Sequence, residues 1–353
     1  MKVGIYDPYL DDMGGGEKYM MTIAACLSKQ HGVSVFWDTR KELDAVGTRF
    51  SLDLSSVKIV PNIFSPHVSL IKRFFKTREY DAIIVLTDGS IPLVGARKLF
   101  LHIQQPLASM QVHSLFEKIK LSRVNGFFCN SHYTEALNEK KFSIAACVIY
   151  PPVALSLKEV VKGNIILHVG RFRSVSGVDY KKQGAMIGAF KKMIDSGLKN
   201  WKFVIATSVR EKDIPEFNTM KETAKGYPIE FLINQPNTAL WHMYSQAKIY
   251  WHASGFGENL ETHPELAEHF GISTVEAMGA GAVPVVINAG GQKEIVKDHE
   301  NGLLWNTLEE LQQKTLTLIQ DKEMLEKLSK SARQTAGNFT EDRFCKEIYQ
   351  LIA

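Results

Sequence analysis

Glu268 and Glu276 are the residues whose types and spacing most invite chemistry. They bound the stretch Glu268-His269-Phe270-Gly271-Ile272-Ser273-Thr274-Val275-Glu276. A helix is predicted to begin near Gly271. If it ran through both acids, eight residues would rise ~12 Å, and steps of ~100° would leave the pair on one face. That separation suits the two ends of a nucleotide-sugar, one acid on sugar hydroxyls and the other on ribose hydroxyls. The diphosphate would lie between them, against the exposed amides at the helix start. The plainer reading is two solvated glutamates on an amphipathic helix. The apolar and glycine surroundings of Glu276 argue against it, because a buried acid requires partners.

A second candidate is the turn Asp11-Asp12-Met13-Gly14-Gly15-Gly16-Glu17, between a predicted strand and a predicted helix. Gly14, Gly15 and Gly16 would let backbone amides approach an anion at a helix N-terminus. The plainer reading is a flexible turn. A nicotinamide-cofactor site is a rival, with Asp38 as its ribose-binding acid. That fingerprint wants G-x-G-x-x-G, and Tyr19 stands where the last glycine belongs.

Glu261, His263, Glu265, Glu268 and His269 form a dense ligand-like cluster. Their spacing is not the H-E-x-x-H of zinc proteases, and Pro264 is expected to open a short helix that scatters them. No metal site is expected. Leu70-Ile71-Lys72-Arg73-Phe74-Phe75-Lys76-Thr77-Arg78 is basic and amphipathic. It reads first as an ordinary helix, apolar face inward and basic face solvated. The alternative is peripheral contact with an anionic membrane.

These residues need a scaffold. The chain has 353 residues, 45% hydrophobic and 23% charged, which is ordinary globular composition and suggests about two domains. It excludes a disordered chain, a collagen-like fibre and a coiled coil. The net charge of +4 is too small to argue for nucleic acid. It is uneven: residues 1–150 carry 18 Lys and Arg against 14 Asp and Glu, and the remainder 24 against 24. The four cysteines are far apart with no C-x-x-C pair, so a disulfide scaffold or zinc ribbon is not expected and a reducing compartment fits. No secretory leader or membrane-spanning run is read. The expected location is cytoplasmic, with peripheral contact at the inner membrane face as the alternative.

Short apolar runs alternate with helical patterns, as in buried parallel sheets. Lys2–Tyr6, Asp81–Leu86, Leu99–Ile103 and Gly126–Cys129 read as strands before Tyr150-Pro151-Pro152 interrupts. The rhythm restarts with Asn164–Val169, Trp201–Thr207, Lys248–His252 and Ala282–Ile287, and helical patterns close the chain. Two βαβ domains are predicted, over residues 1–155 and 156–337, with a final helix over 338–353. Ligands in such folds bind at the carboxyl ends of strands.

The segment Trp251–Ile287, with Gly255-Phe256-Gly257, Glu268–Gly281 and Pro284-Val285-Val286-Ile287, resembles the E-x7-E region of family 4 (group 1) retaining glycosyltransferases. Gly290-Gly291-Gln292-Lys293-Glu294-Ile295-Val296 continues the resemblance. So do Gly14-Gly15-x-Glu17, Asn130-Ser131 with Thr134, Pro151-Pro152-Val153 and Val169-Gly170-Arg171-Phe172, all in the family's order. The resemblance implies the GT-B fold: two Rossmann-like βαβ domains facing across a cleft, the first for the acceptor and the second for the donor. The last helix would cross back to the first domain.

The resemblance also assigns roles. Arg171 would bind the donor diphosphate with Lys181, which aligns when counted back from Ala189-Phe190. Lys182 is the other register, because Arg173–Tyr180 is longer than the family's usual link. Fixed cations there would meet the charge of a departing diphosphate. His102 would hydrogen-bond the donor sugar near the reacting carbon, Glu268 its hydroxyls, and Glu276 the ribose. Phe270, Gly271, Ile272 and Ser273 would help hold the donor. His113 and His132 read as ordinary histidines. The implied reaction is metal-independent retaining transfer of a hexose to a carbohydrate or lipid-linked acceptor, in polysaccharide, lipid-linked oligosaccharide or glycolipid assembly. The form Glu268-His269-Phe270-Gly271-Ile272 is similar to the family's mannosyltransferases, so GDP-mannose is the first donor. UDP-sugar transfer, nucleotide-sugar epimerisation and non-catalytic sugar-nucleotide binding are the alternatives.

Overall fold

The structure is a computed structural model that describes residues 1–12, 14–110, 112, 114–155, 160–175 and 178–353. The chain divides into two compact units. One is Met1–Pro152 with Glu341–Ala353, and the other is Val153–Thr340. The boundary expected after residue 155 adjoins residues outside the described set.

The first unit alternates strand and helix: β1 (Lys2–Tyr6), α1 (Gly15–Ser28), β2 (Gly32–Phe36), α2 (Arg40–Phe50), β3 (Lys58–Val60), α3 (Leu70–Thr77), β4 (Ala82–Leu86), β5 (Lys98–Ile103), α4 (Leu115–Leu121), β6 (Gly126–Cys129), α5 (His132–Phe142) and β7 (Ala146–Val148). Among the described residues these strands make one seven-stranded parallel sheet, ordered β3-β2-β1-β4-β5-β6-β7. The Ala-Ile-Ile-Val-Leu run of β4 is buried throughout, as a strand covered on both faces must be. Strand order reverses between β1 and β4, so side chains just past β1 stand at a topological switch point.

The second unit repeats the plan: β8 (Ile165–Val169), β9 (Ser174–Val175), β10 (Val178–Asp179), α6 (Gln183–Asp195), β11 (Lys202–Thr207), α7 (Ile214–Glu222), β12 (Ile229–Ile233), α8 (Asn237–Gln246), β13 (Ile249–His252), α9 (Ile272–Gly279), β14 (Val283–Ile287), α10 (Gln292–Ile295), β15 (Leu303–Trp305), α11 (Leu308–Gln320) and α12 (Lys322–Ala336). Its six-stranded parallel sheet is ordered β12-β11-β8-β13-β14-β15, with the switch point between β8 and β13. β9 and β10 form a small antiparallel ribbon inside the long link after Arg171.

The chain ends in α13 (Glu341–Ile352), which belongs to the first unit. Phe344, Cys345, Ile348 and Ile352 bury themselves in the same core as α1. There Cys26 and Cys345 form a disulfide, Cα to Cα 5.4 Å, across 319 residues of sequence. This departs from the reduced chain expected from the spacing of the cysteines. Two helices packed face to face bring the ends of the chain together, and sequence distance cannot show that.

Helix α3 also departs from expectation. Most of its apolar residues do not face inward: Ile71 is 71% and Phe75 62% exposed. Arg73 turns in instead, its guanidinium donating to the carbonyls of Ile63 (3.0 Å) and Phe64 (3.1 Å). A cation that satisfies loop carbonyls displaces the apolar face from the core.

Candidate functional site

In the second unit the site assembles at the open end of the sheet. β8 stops at Val169, and Arg171 follows, exposed. The loop carrying the two lysines is tied down by Asp179. One oxygen of its carboxylate accepts the Lys181 amide (3.1 Å) and the other accepts the Gly184 amide (2.9 Å). Lys182 caps α6 at φ 57°, a left-handed conformation that is uncommon away from glycine and recurs where function constrains the chain.

Lys181 reaches back to the predicted sugar-binding acid. Its Nζ lies 2.7 Å from Glu268 Oε2, and the same oxygen accepts from His252 Nε2 at 2.8 Å. Burial opposes the charge on Glu268, but Lys181 and His252 outweigh it and hold the carboxyl well below its usual range. Burial pushes the His252 pKa down against the pull of Glu268. A neutral imidazole donating through Nε2 carries its lone pair on Nδ1. His168 stands beside it, ring centroids 6.1 Å apart. Its Nδ1 lies 3.0 Å from the Trp251 carbonyl, which can only accept, and burial and then His252 lower its pKa to about 3. Lys182 pairs with Glu258 instead. The structure therefore separates the two lysine registers: Lys181 joins Glu268, and Lys182 does not.

Glycines place Glu268. A Cβ on Gly290 would lie 2.4 Å from the Glu268 carbonyl oxygen, and one on Gly291 2.4 Å from that of His269. The Gly291 amide donates to the Glu268 carbonyl at 2.7 Å. Only a side-chain-free pair can press so close against that backbone. Helix α9 begins at Ile272, so Glu268 lies outside it and the single helix through both acids does not form. Gly271, at φ 121°, is the break. The amides of Ile272 and Ser273 lead the helix, where N–H groups have no intrahelical acceptor. Glu276 accepts from the Tyr244 hydroxyl at 2.9 Å, and Ser273 Oγ lies 2.8 Å from the Tyr250 hydroxyl. The Phe270 side chain is core, edge-on to Phe339 at 5.4 Å.

This half of the molecule also decides the family. The model of the glycosyl transferases group 1 family matches residues 156–335. The chain belongs to that family. Among curated relatives, the glycosyltransferase chain is 25% identical over 270 residues to the GDP-Man:Man(3)GlcNAc(2)-PP-Dol alpha-1,2-mannosyltransferase of Dictyostelium discoideum, covering 70% of this chain and 51% of that one. It is 23% identical to the GalNAc-alpha-(1->4)-GalNAc-alpha-(1->3)-diNAcBac-PP-undecaprenol alpha-1,4-N-acetyl-D-galactosaminyltransferase of Campylobacter jejuni, over 96% of this chain and 95% of that one. The chain spans about half the length of the curated mannosyltransferase relatives it matches. In fold it is similar to Anabaena HepE in complex with UDP, with a TM-score of 0.76, 18% identity and 99% of both chains covered.

The first unit of the glycosyltransferase chain carries a separate group. His102 ends β5 between aromatic rings, stacked on Tyr19 at 4.2 Å and tilted against Phe128 at 4.7 Å. Burial lowers its pKa to about 4, so it is neutral at pH 7. Its Nε2 lies 2.7 Å from Gln104 Oε1, which can only accept, so the proton sits on Nε2. Gln104 also packs under the glycine turn, its Cγ 3.5 Å from where a Cβ of Gly16 would stand. In that turn Glu17 accepts the Gly14 amide. Asn130 and Ser131 do structural work: Asn130 holds the Gln104 carbonyl at 2.8 Å, and Ser131 caps α5. His132 is exposed against Glu135, while His113 and Met13 lie outside the described residues.

Sequence reasoning missed His252, His168, Glu258 and Asp7. His252 and Asp7 end or follow a strand on the sheet's open edge, the one signal that could have marked them. Among the described residues, the Glu261–His269 stretch does not gather into a metal-binding group. The group that does come together is Cys26, Glu341 and Cys345, where the two thiols are already joined.

Proposed function

We propose that the chain transfers a hexose, with retention, from a nucleotide-diphosphate-sugar to an acceptor hydroxyl, and that GDP-mannose is the donor. The observation that carries this is the Lys181–Glu268–His252 network at the switch point of the second unit, where Arg171 follows β8. Arg171 and Lys181 would bind the diphosphate, Glu268 the sugar hydroxyls and Glu276 the ribose. The Gly271–Ser273 backbone would add donor amides. In the reaction the bond from the anomeric carbon to the diphosphate oxygen breaks, and its electron pair leaves with the diphosphate. The acceptor oxygen bonds to the same face of that carbon, and its proton passes to the leaving diphosphate. The two cations stabilise the charge that develops there. No enzyme carboxylate acts as nucleophile, and no metal is needed where Arg and Lys supply the charge.

The names of the mannosyltransferase relatives support the donor. The near full-length match to an N-acetylgalactosaminyltransferase supports the second reading, a donor other than GDP-mannose. Both sets of relatives act on saccharides carried by a polyprenyl diphosphate, so a lipid-linked acceptor is the partner proposed here. Helix α3, and α4 with Leu115 at 77% exposure beside Lys118 and Lys120, would rest on an anionic membrane face. No helix among the described residues is long and apolar enough to cross a membrane.

The test is a product assay of the full chain in EDTA, with GDP-mannose, UDP-glucose or UDP-N-acetylgalactosamine and an undecaprenyl-diphosphate-linked saccharide. A mannosylated product whose anomeric NMR coupling matches the donor's configuration is expected. Inverted product, or donor consumed equally well without acceptor, would overturn the reading.

A further inference from the structure

His252 ends β13 with its side chain only 1% exposed, sealed from any ligand in the site. Glu268, which it touches, keeps 20% of its side chain exposed. The imidazole therefore reaches a ligand only through the carboxylate. Both side chains that hold Glu268 take the same oxygen: His252 Nε2 lies 2.8 Å and Lys181 Nζ 2.7 Å from Oε2. A carboxylate oxygen offers two lone pairs. Oε2 is thus filled, and a ligand's hydroxyl is left to Oε1.

The two anchors are not equivalent. Lys181 is a cation with three N–H donors to divide between Glu268 and a phosphate. It is held from both sides. The Tyr180 hydroxyl donates to the Glu265 carbonyl, and Lys182 pairs with Glu258. Three consecutive side chains thus strap the loop between β13 and α9, and Lys181 does not depend on Glu268 alone for its place.

His252 has one proton to give and gives it to Glu268. Burial outweighs the pull of Glu268 and keeps the ring neutral. His168 beside it is neutral too, its Nδ1 turned to the Trp251 carbonyl. A neutral donor fixes the carboxylate without cancelling its charge. The negative charge stays available to sugar hydroxyls, and hydrogen bonds to a charged acceptor are the stronger kind.

We infer that His252 is the positioning residue for the sugar half of the donor: it fixes Oε2 of Glu268 so that Oε1 meets a sugar hydroxyl, and it frees Lys181 for the diphosphate. This rests on the glycosyltransferase reading. Its consequence is a separation of two affinities. The nucleotide diphosphate is held by groups that His252 does not touch, whereas the sugar depends on the carboxylate that His252 orients.

The experiment is calorimetric titration of the full chain in EDTA with GDP-mannose against GDP, and with UDP-N-acetylgalactosamine against UDP. Wild type should bind one sugar nucleotide more tightly than its parent diphosphate. In His252→Asn the side chain ends near the Nδ1 position, too short for Glu268. That variant should lose about tenfold of the sugar preference, the low end for a lost hydrogen bond to a charged group, and keep the bare diphosphate within about twofold. His252→Gln carries an amide nitrogen to the Nε2 position and should restore most of the preference. In a Glu268→Gln background, His252→Asn should change the preference no further, because the histidine acts through that carboxylate. A purely structural role would weaken both affinities together and would not distinguish Asn from Gln. The proposal is overturned if His252→Asn keeps the wild-type preference, weakens both affinities equally, or acts as strongly without Glu268. If His252→Asn fails to fold, loss of the preference in His252→Gln overturns it and retention supports it. Nucleotide binding with no sugar preference in wild type overturns this proposal alone. An absence of nucleotide binding overturns the donor reading, and this proposal with it.

Discussion

The two units share one plan and differ in charge. Each sheet reverses strand order beside its first strand, and each gathers buried polar side chains just beyond that reversal. In the second unit two half-buried acids pair with side chains: Glu268 with Lys181 and His252, and Glu258 with Lys182. In the first unit Asp7 accepts the Tyr9 amide and Glu17 the Gly14 amide. A site with paired charges can exchange a carboxylate for an incoming phosphate without stranding a cation. The same topology thus carries different side-chain chemistry in each unit, because fold positions a site and side chains decide its chemistry.

The largest expected effect comes from the paired side. Arg171→Ala should lower turnover about 10²–10³-fold, the usual cost of removing a donor to developing charge, and leave thermal stability nearly unchanged because Arg171 is exposed. Lys181→Ala should cost comparable activity and also stability, about 3–5 kcal/mol for stranding one member of a buried pair. Steady-state kinetics and denaturant melts separate the two. Equal stability loss in both variants would break the contrast between an exposed cation and a half-buried one.

Next is the clamp at the end of the chain. Reducing the Cys26–Cys345 disulfide, or replacing Cys345 with Ser, should cost about 2–5 kcal/mol and destabilise the first unit. Differential alkylation would report the bond, and a melt with and without reductant its effect. Phe344, next to Cys345, packs edge-on against Tyr19 at 4.9 Å, and Tyr19 stacks on His102. Hydrogen exchange should therefore rise around β5 on reduction. No change there would detach the disulfide from the site.

The smallest effect sharpens the comparison by pH. Asp7 is raised from 3.8 to about 7, by burial first and then by Glu17. A carboxyl raised on folding favours the protonated form in the native state, so Asp7 lowers stability as pH climbs from about 4 to about 7, and the penalty is constant above that. Glu268 is lowered well below 4.5, so it contributes stability above its unfolded value and loses it as pH falls through the folded one. Asp7→Asn should raise the melting temperature at pH 8 and flatten the profile between pH 4 and 7. Glu268→Gln should lower it at pH 8. Slopes of the same sign would show that the two switch points do not differ in charge compensation.

Much of this was legible in the residues. The buried parallel strands read correctly, because runs such as Val283–Ile287 are apolar on both faces. The three-residue strands β3, β7 and β15 did not. They lie at or beside sheet edges, where pairing with a neighbour, not local pattern, makes a strand. Glu268 and Glu276 were visible by spacing, but the break at Gly271 was not, since a positive φ leaves no mark beyond the glycine itself. His252 and Asp7 escaped because one polar residue at a strand end is ambiguous until the sheet shows which end is open. The inward turn of Arg73 and the Cys26–Cys345 bond depend on tertiary contacts that no local window contains.

We propose that the second unit's switch point holds the donor's nucleotide diphosphate. Calorimetric titration with GDP, UDP, ADP and NAD, in EDTA, tests it most directly when run on wild type, Lys181→Ala and Asp7→Asn. Wild type should bind GDP, Lys181→Ala should bind it at least tenfold more weakly, and Asp7→Asn should bind it as wild type does. Preference for UDP would keep the site and replace the donor. Binding by NAD alone, or nucleotide binding lost in Asp7→Asn and kept in Lys181→Ala, would contradict the account.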